Sequence, residues 1–290
     1  MKFSIKALSI ITTLSFGLQN ISQAQNVDSQ SASIGTPARL NVSYQDVLSL
    51  EKTNPDYVVR YGDGEYQFGE LRLPKNQLSA KPPLVIFIHG GCWLSSFDVS
   101  HIASASAALV NAGYAVLSLE YRRTGNEGGG WPNTLGDILA GIRHAMSAGN
   151  AHYDNQKIAI VGHSAGGHLA LLAGAKLHDS KVIRSVIGLS AITDIVSYSR
   201  GDNSCQKATT KFMGGTEVDN PRGYVNANPI EAELHPKTVL LQAGKDLIVG
   251  LDQNLPNHKS ILIEGAGHFD MIHPQTSSFK ALLKQLANDL

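Results

Sequence analysis

A chain of 290 residues that is 42% hydrophobic is long enough for one large domain with a substantial core. Lysine plus arginine and aspartate plus glutamate both total 24, so the formal net charge is zero. That balance leaves no footprint for nucleic acid or an anionic membrane, and there is no repeat or low-complexity tract.

The first residues, MKFSIKALSIITTLSFGLQNISQAQ, carry two lysines, an apolar run of roughly a dozen residues and then small and polar ones. A membrane span needs about 20 apolar residues, so residues 1–24 read as a secretory signal cleaved after Ala24. The expected location is periplasmic or secreted, with no membrane span once the signal is removed. Export makes the two cysteines, Cys92 and Cys205, candidates for one disulfide, although two unpaired buried thiols suit the sequence as well.

Residues 25–55 are polar and rich in Ser, Gln and Asn, and read as a loosely attached lead-in to a single domain over 56–290. DYVVRYG and YQFGELRLP flank Asp63-Gly64 as a hairpin, and KPPLVIFIHG is an apolar run suited to a strand covered on both faces. A small-residue helix follows from His101 to Gly113, then the strand YAVLSLEYR, then a helix with Pro132 near its start and Gly149 near its end. KIAIVGHSAGGHLALLAGAKL reads as strand, tight turn and helix. VIRSVIGLSA, TVLLQAGK and SILIEGAG are further strands, and SSFKALLKQLANDL closes the chain as an amphipathic helix. This alternation predicts an α/β domain: a mostly parallel central sheet, helices on both faces and a leading antiparallel hairpin. Residues 192–236 interrupt the pattern with a long polar excursion, of the kind that forms a lid or pocket wall.

Gly162-His163-Ser164-Ala165-Gly166 is a G-x-S-x-G sequence set between an apolar strand and an apolar helix. In that setting Ser164 is held out at the end of a strand as a nucleophile, and the Ala165 N–H opens the following helix, where the dipole favours negative charge. An acyl-transfer site needs N–H donors about 3 Å from the developing oxyanion. His89-Gly90-Gly91-Cys92 leaves an earlier strand as an HGGG-type turn does, which makes the Gly91 and Cys92 N–H groups donors beside that of Ala165. Cys92 then contributes backbone; as a nucleophile it lacks the elbow that Ser164 has. Trp93 suits a pocket wall or plain core.

The base is predicted to be His268, in a glycine-flanked loop after the last strand, with His273 farther from the strand end. His163 is expected to point away from the pocket. Among carboxylates after Ser164, Asp246 follows the strand TVLLQAG and precedes the strand delivering His268, so it is the predicted acid. Asp194 reads as a loop-fixing or capping carboxylate, and Asp252 lies further on. Asp137 suits an ion pair with Arg122 or Arg123, or a solvated helix face.

HGGCW, EYRRTGNEGGGWPNTLGD, GHSAGG, KFMGGT with NPI downstream, AGKDLIV and GAGHF together resemble the α/β-hydrolase superfamily. More narrowly they are similar to small bacterial esterases of the hormone-sensitive-lipase and kynurenine-formamidase-like groups, over roughly residues 55–290. The resemblance implies an eight-stranded hydrolase sheet, a Ser-Asp-His triad and no cofactor. Cys92 departs from it where many esterases have a third glycine, and EYRRTGNEGGGWP replaces the lipase group's usual Asp-Tyr-Arg-Leu-Ala-Pro. The leading expectation is an exported serine hydrolase of small-molecule carboxylic esters. An arylformamidase, a small serine peptidase and a catalytically dead binding module are the other readings.

Overall fold

The computed structural model describes residues 40–75, 80–147 and 152–290. The expected signal at 1–24, the first part of the lead-in and the helix-ending Gly149 lie outside the described residues. Among the described residues no helix is long and apolar enough to cross a membrane.

Eight strands form one sheet: β1 (Tyr57–Arg60), β2 (Phe68–Arg72), β3 (Pro83–Ile88), β4 (Ala115–Leu119), β5 (Asp154–His163), β6 (Ile183–Leu189), β7 (Thr238–Ala243) and β8 (Lys259–Ile263). Their spatial order is β1-β2-β4-β3-β5-β6-β7-β8. The β1–β2 and β2–β4 pairings are antiparallel and the rest parallel, so the hairpin forms one edge as expected.

The unbroken apolar run of β3 has a direct cause: both of its faces are covered. Leu84, Ile86 and Ile88 pack on the side of α3 (Asn133–Ser147) and α4 (Ala165–Lys176), with Ile138, Ile142 and Leu169. Val85 and Phe87 pack on the other side, against α2 (Ala103–Asn111) and α8 (Ser277–Asp289) through Leu109, Leu282 and Leu286. At the C-terminal ends of β3, β5, β7 and β8 the chain turns into the four predicted site segments.

Two segments are more ordered than their composition suggests. In the lead-in, α1 (Tyr44–Leu48) starts at a capping box between Ser43 and Asp46 and buries Val47. Five residues are too few to display helical periodicity, and what holds them is remote: the Asn41 and Val42 N–H groups donate to Asp270, at 2.8 and 3.0 Å. In the excursion, α5 (Ile195–Tyr198), α6 (Ser204–Met213) and α7 (Pro221–Asn226) start at the side-chain caps Asp194, Asn203 and Asn220. Asp137 makes the ion pair, taking both Arg122 Nε (2.8 Å) and Nη2 (2.7 Å).

Candidate active site

Ser164 sits between β5 and α4 with φ 57° and ψ −121°, in a region an L-residue avoids at a cost of about 1–3 kcal/mol. Its N–H donates to the Leu189 carbonyl of the neighbouring strand at 2.9 Å. The flanking glycines are there for space. A Cβ on Gly162 would run into the Gly166 carbonyl, and one on Gly166 into the carbonyls of Ile88 and His89. The elbow therefore rests backbone-on-backbone against the end of β3.

From β3 the chain enters the turn with three successive left-handed residues, Gly91 (φ 106°), Cys92 (52°) and Trp93 (59°). The amides of Gly91, Cys92 and Ala165 donate to no described residue. A buried cluster braces the turn from behind. His89 reaches the Gly90 carbonyl through Nδ1 at 2.8 Å and Glu120 through Nε2 at 3.0 Å, while the Tyr121 hydroxyl donates to the His89 carbonyl at 2.8 Å. Glu120 also accepts from Arg123 (3.2 Å) and from the N–H groups of Val99 and Tyr121. Burial by itself would raise the Glu120 carboxyl, but the charges and hydrogen bonds of His89 and Arg123 and the Tyr121 N–H hold it below its ordinary value.

Cys92 is disulfide-bonded to Cys205 on α6, with Cα atoms 5.0 Å apart, so the turn is tied covalently to the excursion. Trp93 is fully buried, stacked on Phe212 at 4.6 Å and edge-on to His168. That packing is the one its core reading describes.

His268 begins a turn of 3-10 helix, His268–Ile272, beyond β8. Its Nδ1 lies 2.7 Å from Asp246 Oδ2, which leaves Nε2 as the free ring nitrogen. Asp246 Oδ1 accepts the N–H groups of Ile248 and Val249, both at 2.8 Å. Burial works to raise the Asp246 carboxyl, but His268, by hydrogen bond and charge, and these two amides outweigh it and hold the carboxyl below its ordinary value. Asp194 instead caps α5, accepting from Val196 and Ser197 at 3.1 Å, and Asp252 accepts from the side chain of Gln253. His273 accepts from the Gln275 N–H at 3.3 Å.

His163 is fully buried, and its ring packs against that of His268, centroids 4.6 Å apart, a contact the sequence did not suggest. Its Nε2 lies 3.1 Å from the His268 carbonyl, which can only accept, so that nitrogen carries the proton. Nδ1 then accepts from His101 Nε2 at 3.1 Å. Burial, then the neighbouring histidines, push both His101 and His163 well below the usual imidazole value, so the pair stays neutral. His163 was visible in the elbow sequence, but a side chain running under the strand end carries no local signal.

Residues 70–260 match the family described as BD-FAE, two thirds of the chain. The chain belongs to the BD-FAE family. Among curated proteins, this BD-FAE chain is 30% identical over 211 residues to Esterase LipC of Mycobacterium tuberculosis (strain ATCC 25618 / H37Rv), covering 67% of this chain and 52% of LipC. It is 27% identical over 133 residues to the probable carboxylic ester hydrolase LipM of the same organism, covering 41% of this chain and 30% of LipM. The chain thus spans about half the length of LipC and less of LipM. Among solved structures, a truncated form of carbohydrate esterase from gut microbiota superposes with a TM-score of 0.68 at 23% identity, covering 82% of this chain and 96% of that one. Esterase B from Lactobacillus rhamnosis (HN001) gives 0.68 at 19% identity, covering 84% and 89%. At such identities the likeness speaks for the fold, which is the α/β-hydrolase fold.

Proposed function

We propose that this protein is an exported serine hydrolase that cleaves small carboxylic esters. The observation carrying the reading is the 2.7 Å Asp246–His268 contact, with the His268 ring packed on the residue that precedes a left-handed Ser164. Ser164 Oγ attacks the ester carbonyl and gives its proton to His268 Nε2, while Asp246 balances the imidazolium. The negative charge on the tetrahedral oxygen is met by the Gly91, Cys92 and Ala165 amides. His268 then protonates the departing alcohol, and the acyl-enzyme is hydrolysed by a water that His268 deprotonates. The names carried by LipC, LipM and the structural neighbours support an ester as substrate. Export is supported by the leader composition and by the Cys92–Cys205 bond, which persists in oxidising compartments.

The test is a substrate panel on purified protein: p-nitrophenyl acetate, butyrate and palmitate, a formanilide and a peptide, with fluorophosphonate labelling alongside. Turnover of the short esters is expected, because the excursion offers no long apolar run for an interface-binding lid. Ser164→Ala should abolish labelling and cut kcat on the order of 10⁶-fold. Sizeable turnover by that variant, or activity on the formanilide alone, defeats the proposal.

A further inference from the structure

Residues 41–48 precede the span that matches BD-FAE, yet they touch both halves of the site. The Tyr44 ring lies 5.8 Å from Phe97, 5.2 Å from Phe269 and 5.2 Å from His101, centroid to centroid. Phe97 belongs to the oxyanion turn: its side chain fills the space that a Cβ on Gly91 would need. Phe269 follows His268 directly, with ring centroids 5.0 Å apart. His101 leads back to the base by a second route, donating to His163, which donates to the His268 carbonyl.

Below Tyr44 the segment is anchored on the same loop. Asp270 Oδ1 accepts the Asn41 N–H, while Oδ2 accepts those of Val42 and of Gly267, the residue before His268. Gly267 has no room for a side chain because Asn41 lies against it. One short segment therefore fixes the backbone on both sides of His268 and wedges an aromatic ring between that loop and the oxyanion turn.

We propose that residues 41–48 form a positioning strap for catalysis, in which Tyr44 and the Asp270 anchor set the placement of the general base relative to the oxyanion turn. This rests on the hydrolase reading above. Tyr44 and Asp270 act through His268 and Phe97, and neither is assigned contact with reacting atoms. A placement error of about 1 Å between base and reacting atoms costs rate by up to roughly a hundredfold while substrate binding is spared.

The experiment uses full-length Tyr44→Ala, Tyr44→Phe and Asp270→Asn, with Ser164→Ala as the reference for the reading itself. kcat and KM for p-nitrophenyl acetate, the second-order rate of fluorophosphonate labelling, and Tm are measured well below each variant's melting point. Tyr44→Ala and Asp270→Asn should lose kcat and labelling rate together, by roughly tenfold to a hundredfold, with KM within about twofold. Tyr44→Phe keeps the ring and should restore most of the rate. If Tyr44→Ala fails to fold, Tyr44→Leu, which fills the space without an aromatic face, carries the same expectation. Variants that melt earlier but keep wild-type kcat and labelling rate reduce the strap to plain stabilisation and overturn the proposal. Ester turnover by Ser164→Ala would instead remove the hydrolase reading.

Discussion

Replacing both cysteines, Cys92→Ser with Cys205→Ser, removes a crosslink that closes 113 residues of sequence. The chain-entropy relation assigns such a loop about 4.8 kcal/mol at 25 °C, regained by the unfolded state once the bond is gone. Against a typical domain stability of about 5–15 kcal/mol, that is a third or more of the total. Guanidinium denaturation followed by far-UV circular dichroism should show a large fall in midpoint, with a slope equal to or above that of the wild type because the unfolded chain is freer to expand. Activity should behave differently. In the proposed mechanism Cys92 acts through its N–H, which serine retains, so kcat at a temperature where the variant is folded should stay within a few-fold of wild type. Wild-type protein treated with reductant should match the double variant on both measures. A midpoint that does not move would refute the loop-entropy argument. A folded variant with collapsed kcat would show that the bond, and not the backbone's own preference, holds the left-handed run Gly91–Trp93.

Asp246→Asn should leave the fold intact and lower kcat by up to about 10⁴-fold, since an amide neither fixes the histidine tautomer nor balances the imidazolium. Asp194→Asn should leave kcat near wild type and cost at most about 1 kcal/mol in urea denaturation, as expected of a weakened helix cap; the reverse pattern would exchange the two roles. For Glu120 the sign follows from its folded value lying below the ordinary 4.5. Its contribution to stability is complete above pH 4.5 and disappears as the pH falls through the folded value. The Tm advantage of wild type over Glu120→Gln should accordingly be constant near neutrality and shrink below pH 4.5, and an advantage that grows on acidification would contradict the assigned shift.

The sheet was legible because burial on two faces writes itself as continuous apolar runs, and LVIFI and IAIVG each became a central strand. The elbow and the histidine loop were legible for a related reason. Their glycines and polar residues interrupt those runs at strand ends, where little else explains them. Residues that act across the fold left no such mark. Asp270 binds a backbone segment 229 positions away, and Glu120 is an ordinary glutamate after a strand until His89 and Arg123 close on it. The helices of the excursion were hidden by polar composition, because each is short and held by side-chain caps, by a few buried side chains such as Phe212 and Tyr224 and, for α6, by the Cys205 disulfide.

The seating of the elbow constrains how such a protein can change over generations. Gly162 and Gly166 are fitted against carbonyl groups, and carbonyls cannot be trimmed or repacked by mutation as a neighbouring side chain can. No compensating substitution is available nearby, so drift at these two positions is closed in any lineage that keeps the turn. Innovation is displaced outward, to the capped helices between residues 192 and 236. There, away from Cys205 and its bond to the turn, single replacements meet side chains that can repack. A laboratory evolution campaign on this scaffold would do best to randomise those helices and leave the elbow and the strap at 41–48 as they stand.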